Sequence, residues 1–280
     1  MNQQQAYPDQ QVNEVNNTHQ HEQEHRQTAH SITENMVGKL TFMGIAALVL
    51  FGFRLKGIPQ DDVHCIVDVV HDYFNNWNKY VNENTYYSNL LIVTNSFMID
   101  CIALGTYSYW LICVRNIRFM ISIIVFYSLR TVHLHMFHMR FPMGYNWNEP
   151  TITSLTVPYG RTSDFFFSGH CGFLTLCFFE LRALGWKKIS WIAMITMIYT
   201  AFVLIVLRVH YTIDITAGII IAHYIHIQSQ HYYVKVEKAM YSFQIYITKL
   251  FQCKSFQQNL EEEQLIYLKQ IQLQEKSEQQ

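Results

Sequence analysis

Apolar runs and polar breaks alternate through the middle of the chain, between two polar tails. The runs cover roughly Val37–Phe53, Leu90–Cys113, Phe119–Phe137, Phe165–Leu184, Ile189–Leu207 and Tyr211–Ile227. The fifth carries no charge over about nineteen residues, which as a helix crosses a hydrocarbon core of ~30 Å. The first and fourth are shorter. The pattern predicts an all-α polytopic membrane protein with six transmembrane helices, and no internal repeat is visible. The expected organisation is a disordered polar tail over 1–35, a transmembrane catalytic domain over 36–230 and a C-terminal cytosolic tail over 231–280.

Residues 1–35 are rich in Gln, Asn, His and Glu and have little to bury, the signature of a segment that does not fold alone. They lack the apolar core of a secretory signal, so the first membrane helix is expected to act as the targeting element. From Lys254 the chain turns polar again. Leu260, Leu265, Leu268 and Ile271 recur there at helical spacing, as a solvated helix or a membrane-surface helix would show.

Composition agrees with the pattern. Half of the residues are hydrophobic and 15% are charged, against roughly 25% in a soluble domain. A formal net charge of −1 leaves no basic surplus for a nucleic-acid partner. Eighteen Tyr and nineteen Phe are many, and Tyr often anchors at the bilayer interface. Six cysteines, none in a CxxC, do not form a disulfide framework by spacing. With an even number of spans both termini share a side. If that side is the cytosol, Arg115, Arg118, Arg182, Lys187, Lys188, Lys235 and Lys238 lie inside, and Arg54, Lys56, Lys79, Arg140, Arg161 and Arg208 lie outside. The resulting Lys/Arg bias is slight.

Two motifs carry chemistry, and both fall at helix ends on the same expected outer face. The second, "RVHYTID" from Arg208 to Asp214, spaces His210 and Asp214 four apart, one turn on one helix face. A carboxylate there can accept from imidazole Nδ1–H, fix the tautomer and free Nε2 as base or nucleophile. Alone, such a pair is more readily two groups satisfying each other at the interface. The first motif, "SDFFFSGH" from Ser163 to His170, changes the balance. Ser168 can cap a helix whose first N–H groups point at an anion, Gly169 permits close approach, and His170 lies within reach. Arg130, deep in the third run, either clamps a phosphate or pairs with Asp100. Asp164 is expected to orient His170 or to cap a helix.

The segment "DFFFSGHCGFLTL" resembles the sphingomyelin synthase motif C-G-D-x-x-x-S-G-H-T, and "HYTIDI" resembles that family's H-Y-T-x-D-V. Asp164, Ser168, Gly169, His170, His210, Tyr211, Thr212 and Asp214 match in position. The run with Arg115, Arg118, Tyr127, Arg130 and Thr131 is similar to a looser form of the family's Arg-Arg … Tyr … Arg segment. Thr162 and Ser163 replace Cys-Gly, and Cys171 replaces Thr.

The resemblance implies transfer of a phospho-headgroup from a glycerophospholipid to ceramide, within the wider lipid phosphatase-like superfamily. It implies that His210 attacks phosphorus, Asp214 orients it and His170 shuttles the proton. Asp164 completes the implied catalytic set, and Ser168, Gly169, Arg130, Arg208 and Tyr211 form the phosphate- and substrate-binding set. No metal and no organic cofactor are implied. The expected partners are ceramide, a glycerophospholipid and the bilayer, and oligomerisation stays open. The expected location is the Golgi or plasma membrane, with the active site lumenal or extracellular.

Three other readings are weighed. A lipid phosphate phosphatase shares SGH and HxxxD, but its Lys-x6-Arg-Pro string is absent, and Leu204 stands six before His210 where that branch has Arg. A membrane di-iron oxygenase is suggested by fourteen histidines, including His133, His138, His223 and His226, without a HH pair. A non-catalytic lipid-binding membrane protein that kept the motifs is the third.

Overall fold

The computed structural model describes residues 38–41, 43–44, 66–160, 165–250, 265–266 and 269. Most of the first apolar run, Asp164 and most of the C-terminal tail therefore lie outside the described residues. Among those described, every regular element is a helix. They are α1 (Val69–Tyr73), α2 (Asn75–Glu83), α3 (Thr85–Cys113), α4 (Arg118–Met136), α5 (Gly169–Ala183), α6 (Lys187–Val206) and α7 (Thr212–Leu250). The described residues form two compact units, one of 38–41, 43–44 and 107–115 and the other of 66–106 and those from 116 onward. In the first, buried Lys39 donates to the carbonyls of Trp110 and Val114, with its ammonium 4.8 Å from the Trp110 ring.

The apolar runs become helices with shifted ends. Three of the helices, α3, α4 and α6, are long and apolar enough to cross a membrane. Backbone amides in hydrocarbon need partners, and a helix supplies them internally. The fourth run yields a helix of only 15 residues, because Ser168 takes an extended backbone (φ −67, ψ 120) and its hydroxyl accepts from Cys171 N–H at 3.4 Å. Phe165–Phe167, apolar but upstream of that cap, stay outside α5. The sixth run lengthens instead. Helix α7 spans 39 residues and continues through residue 230, where the tail was expected to begin.

Two turns set the geometry of the second unit. Helix α5 ends in a Schellman motif. Gly185 sits at φ 84, its N–H reaches the Arg182 carbonyl at 3.1 Å, and Trp186 N–H reaches Leu181 at 2.9 Å. The α6–α7 connection repeats the motif with a different residue. Arg208 N–H donates to Ile205 at 3.1 Å and Val209 N–H to Leu204 at 2.8 Å, with Arg208 itself at φ 54. A left-handed non-glycine residue costs on the order of 1–2 kcal/mol, so something else must hold Arg208 there.

Helix α5 is the most enclosed element, with Cys171, Leu174, Leu176 and Cys177 fully buried, and it packs on α4, α6 and α7. Close approach is written into two glycines. A Cβ on Gly172 would lie 2.0 Å from Phe126 on α4, and one on Gly218 of α7 would lie 2.6 Å from the Ser168 carbonyl. Small residues at such crossings let helix backbones meet.

Candidate active site

The two motifs meet where α4 ends and α5 and α7 begin. Ser168 N–H donates to the Asp214 carbonyl at 2.8 Å, a backbone bond that ties one motif to the other. Fully buried His210 and Asp214 face each other, with Nδ1 3.4 Å from Oδ2. This approach is not one turn of helix, as expected, because α7 starts only at Thr212. The chain instead makes half of a capping box: the Asp214 carboxylate reaches back to Tyr211 N–H at 2.9 Å, which pins its oxygen beside the preceding histidine.

His170, the second residue of α5, places its ring 6.1 Å from that of His210. Several buried polar atoms here have no hydrogen-bond partner among the described residues: His170 Nδ1, His210 Nε2, Asp214 Oδ1, Arg208 Nε and the Tyr159 hydroxyl. His210 Nδ1 makes no hydrogen bond across its 3.4 Å to the Asp214 carboxylate, a spacing that becomes an ion pair when the imidazole is protonated. Buried polar groups are nearly always satisfied. Gathered around two imidazoles, these atoms are free to bond a polar reactant.

Arg130 lies beside the same helix start. Its Nε donates to the Phe167 carbonyl at 3.3 Å, and the guanidinium lies against the start of α5, where a Cβ on Gly169 would be 3.0 Å from Nε. Asp100, the alternative partner, is engaged elsewhere: it accepts from Ser154, Leu155 and Thr156 at 2.6–3.0 Å. Arg208 stands differently from its expected place on a phosphate. Its guanidinium donates to the carbonyls of Met143 and His71 (the latter at 3.1 Å) and to Asn75 Oδ1 at 2.9 Å. Those bonds hold the left-handed turn. Tyr211 stacks on His71, centroids 5.5 Å apart, and its hydroxyl donates to the Arg140 carbonyl at 2.8 Å.

Sequence reasoning missed an entire layer of the site. Asp68, His71, Asn75, Asn78 and Asn82 recur at spacings of three and four, so one face of the α1–α2 segment is a polar stripe. All five engage the turn into α7 or the loop beside it. Asp68 accepts from Thr212 N–H at 2.6 Å and from its hydroxyl at 3.0 Å, capping α7 from a distant part of the chain. His71 Nε2 donates to the His210 carbonyl at 2.9 Å. Asn78 donates to the carbonyls of Val206 at 2.8 Å and Gly144 at 2.9 Å, and Asn82 to Gly144 at 3.0 Å. The spacing was a readable signal, but a polar stripe in a loop reads equally well as a solvated face.

Electrostatics at the clasp follow from these bonds. Burial pushes the Asp68 carboxyl up, but hydrogen bonds from Thr212 and Val70 and the nearby His71 outweigh it, and it titrates below its ordinary range. Burial holds the His71 imidazole below its ordinary value of 6.5, against the raising effects of the His210 carbonyl, Asp68 and Asp214.

A second unforeseen element is the loop after α4. Buried Trp147 sets its ring 5.8 Å from His170, and its Nε1 donates to the Pro158 carbonyl at 3.0 Å. Gly160 N–H returns to the Trp147 carbonyl at 3.0 Å, closing the loop. With Phe165 centred 6.4 Å from His210, these rings pack against the two histidines, of which His210 is fully buried and His170 partly exposed.

Residues 162–232 match the family described as PAP2 superfamily C-terminal. That segment holds both motifs, α5, α6 and the first half of α7, and it supports the lipid phosphatase-like superfamily, whose chemistry is phosphotransfer or phosphate-ester hydrolysis. Three apolar helices of membrane-spanning length point to a membrane protein, and the matched segment fits phosphatase or phosphotransferase chemistry. Neither the curated proteins nor the solved structures contain a match to the chain.

Proposed function

We propose that the protein is a membrane transferase that moves a phospho-headgroup from a glycerophospholipid to ceramide through a phosphohistidine. The observation that carries this reading is a pair of imidazoles with ring centroids 6.1 Å apart, the fully buried one of them, His210, with its Nδ1 3.4 Å from a carboxylate oxygen and its Nε2 unbonded among the described residues. A carboxylate on Nδ1 keeps the proton there and turns the Nε2 lone pair outward.

In the first step His210 Nε2 attacks phosphorus and the bond from phosphorus to the glycerol oxygen breaks. His170 protonates that oxygen as diacylglycerol leaves. In the second step His170 takes the proton of the ceramide primary hydroxyl, whose oxygen attacks the phosphohistidine and releases His210. Arg130 and the N–H groups at the start of α5, behind Ser168 and Gly169, face the phosphate oxygens. Asp164 is assigned to orient His170. Arg208 and Tyr211 shape the turn that carries His210.

The full burial of His210 beside Phe165 supports transfer to an alcohol over hydrolysis, because a phosphohistidine with little access to water survives until the acceptor arrives. Hydrolysis is the second reading, since the matched superfamily accommodates both outcomes. Purified enzyme given ceramide and mixed phospholipid donors should yield a phosphosphingolipid by lipid mass spectrometry. Inorganic phosphate from phosphatidic acid, without a ceramide product, would replace transferase by phosphatase.

The six-span arrangement is part of the same proposal, with α5 and the first part of α7 crossing beside α3, α4 and α6. Both motifs then open on the lumenal or extracellular face of the Golgi or plasma membrane. Glycosylation acceptors inserted beside Asn148 should be modified and those beside Lys187 should not. The reverse pattern overturns the topology.

A further inference from the structure

The α1–α2 segment has a second face that the catalytic turn does not use. Val69, Tyr73, Trp77 and Tyr80 recur at spacings of four and three, opposite the polar stripe, and stand 76%, 82%, 59% and 52% exposed. Phe74 N–H bonds the Val70 carbonyl at 3.1 Å and Asn78 N–H bonds Phe74 at 3.0 Å, so the segment is nearly one continuous helical rod. Between the two faces lie a charged edge, with Lys79 and Glu83 4.0 Å apart, and a packed edge, where Phe74 meets Phe202 of α6 at 5.9 Å. An element with its aromatic face out and its polar face in is inverted relative to a soluble globular fold.

We infer that this aromatic face docks into the headgroup–acyl boundary of the bilayer, in the leaflet where α3 begins. Three observations choose the bilayer as occupant. The face consists of Tyr and Trp with one Val, side chains that seat a ring in apolar surroundings and a polar tip at the water boundary. It is continuous with the first turn of a membrane-spanning helix, since Tyr80 lies 5.6 Å from Tyr87, which lies 5.5 Å from Tyr86, both exposed on α3. The charged edge occupies the remaining side, as it does on interfacial helices that lie in the membrane plane.

The consequence is positional. One rod touches lipid with Tyr73, Trp77 and Tyr80 and holds the turn of His210 with Asp68, His71, Asn75 and Asn78. It sets the height of that turn at the level of the lipid phosphates. This rests on the protein spanning the membrane and is independent of which headgroup is transferred.

The test is tryptophan fluorescence of the full-length protein in phosphatidylcholine vesicles brominated either near the headgroup or near the chain end. Tyr73→Trp and Tyr80→Trp should each add fluorescence that the shallow bromines quench strongly and the deep ones weakly. Trp77→Phe should remove a component with the same shallow preference. Asn76→Trp, on the charged edge, should add fluorescence that neither lipid quenches. The Trp77→Phe subtraction adds no bulk and serves if an added tryptophan disturbs folding. Absence of bromine quenching at all three aromatic positions overturns the inference. So does self-cross-linking through this face, which would assign it to a second copy of the chain.

Discussion

The same helices carry buried polar groups at both ends, and the two ends treat them in opposite ways. At the far end, Arg118 opens α4 and meets Glu180 near the end of α5 through two bonds, Nε to Oε2 at 3.2 Å and Nη2 to Oε1 at 3.0 Å. Beside it Ser122 meets Ser229 at 2.7 Å, and Glu237 accepts from Ile117 N–H at 2.7 Å. At the motif end, His170, His210 and Asp214 present atoms that no described residue satisfies. The Arg118–Glu180 pair, closed by two bonds, orders a helix bundle, whereas two imidazoles and a carboxylate that keep unbonded atoms can take up a reactant.

The contrast can be broken most severely at the nucleophile. Asp214→Asn should lower turnover by roughly 10⁴, as the amide exchange does in a serine-protease triad, by presenting NH2 to Nδ1 and favouring the wrong tautomer. The lost Oδ2 acceptor for Tyr211 N–H is a smaller structural effect. Radiolabelled headgroup transfer by folded protein measures it, and near-normal turnover would reduce Asp214 to a helix cap.

Loss of the acid comes next. His170→Ala should cost ~10²–10⁴ in natural-donor turnover, yet a donor with a nitrophenolate leaving group needs no proton. That variant should release a burst of about one nitrophenol per enzyme and then stall as phosphoenzyme, because the acceptor hydroxyl also relies on His170. His210→Ala should show no burst. If His210→Ala is the rescued variant, the two roles are exchanged.

At the far end the expected effect is on stability alone. Glu180→Leu leaves Arg118 buried without its partner and should destabilise by ~3–5 kcal/mol, whereas Arg118→Met with Glu180→Leu should recover much of that. Thermal unfolding in detergent reads both. The turnover of the folded double variant should equal that of the parent, and a loss there would join the two ends functionally.

The smallest effect sharpens the boundary of the site. His71 titrates below 6.5 when folded, so its contribution is complete above 6.5 and falls as pH drops from there toward the folded value. Asp68, Arg208 and Asp214 face it, and Asp68, depressed below 3.8, stays ionised throughout that window. Stability should therefore decline modestly in mild acid. His71→Gln, which keeps a donor for the His210 carbonyl, should flatten the decline, and an unchanged profile would remove His71 as its source.

What the sequence determined by itself follows from constraints that act locally. A bilayer demands long apolar helices, so α3, α4 and α6 were visible as uninterrupted runs, with ends that shifted by a few residues. SGH and HxxxD were visible because the reaction needs those residue types at close spacing. The cap at Ser168 was legible too, but that Phe165–Phe167, as apolar as a span, stay outside α5, which begins at Gly169, was not. Only the tertiary structure decided that Asp214 reaches His210 by capping Tyr211 rather than across a helical turn. It alone placed the Arg208 guanidinium on the carbonyls of Met143 and His71, far away in the chain, where it braces a left-handed turn. The Asp68 cap on Thr212 spans 144 residues. Such bonds leave no local periodicity, because a polar side chain looks the same in sequence whether water or a distant backbone satisfies it.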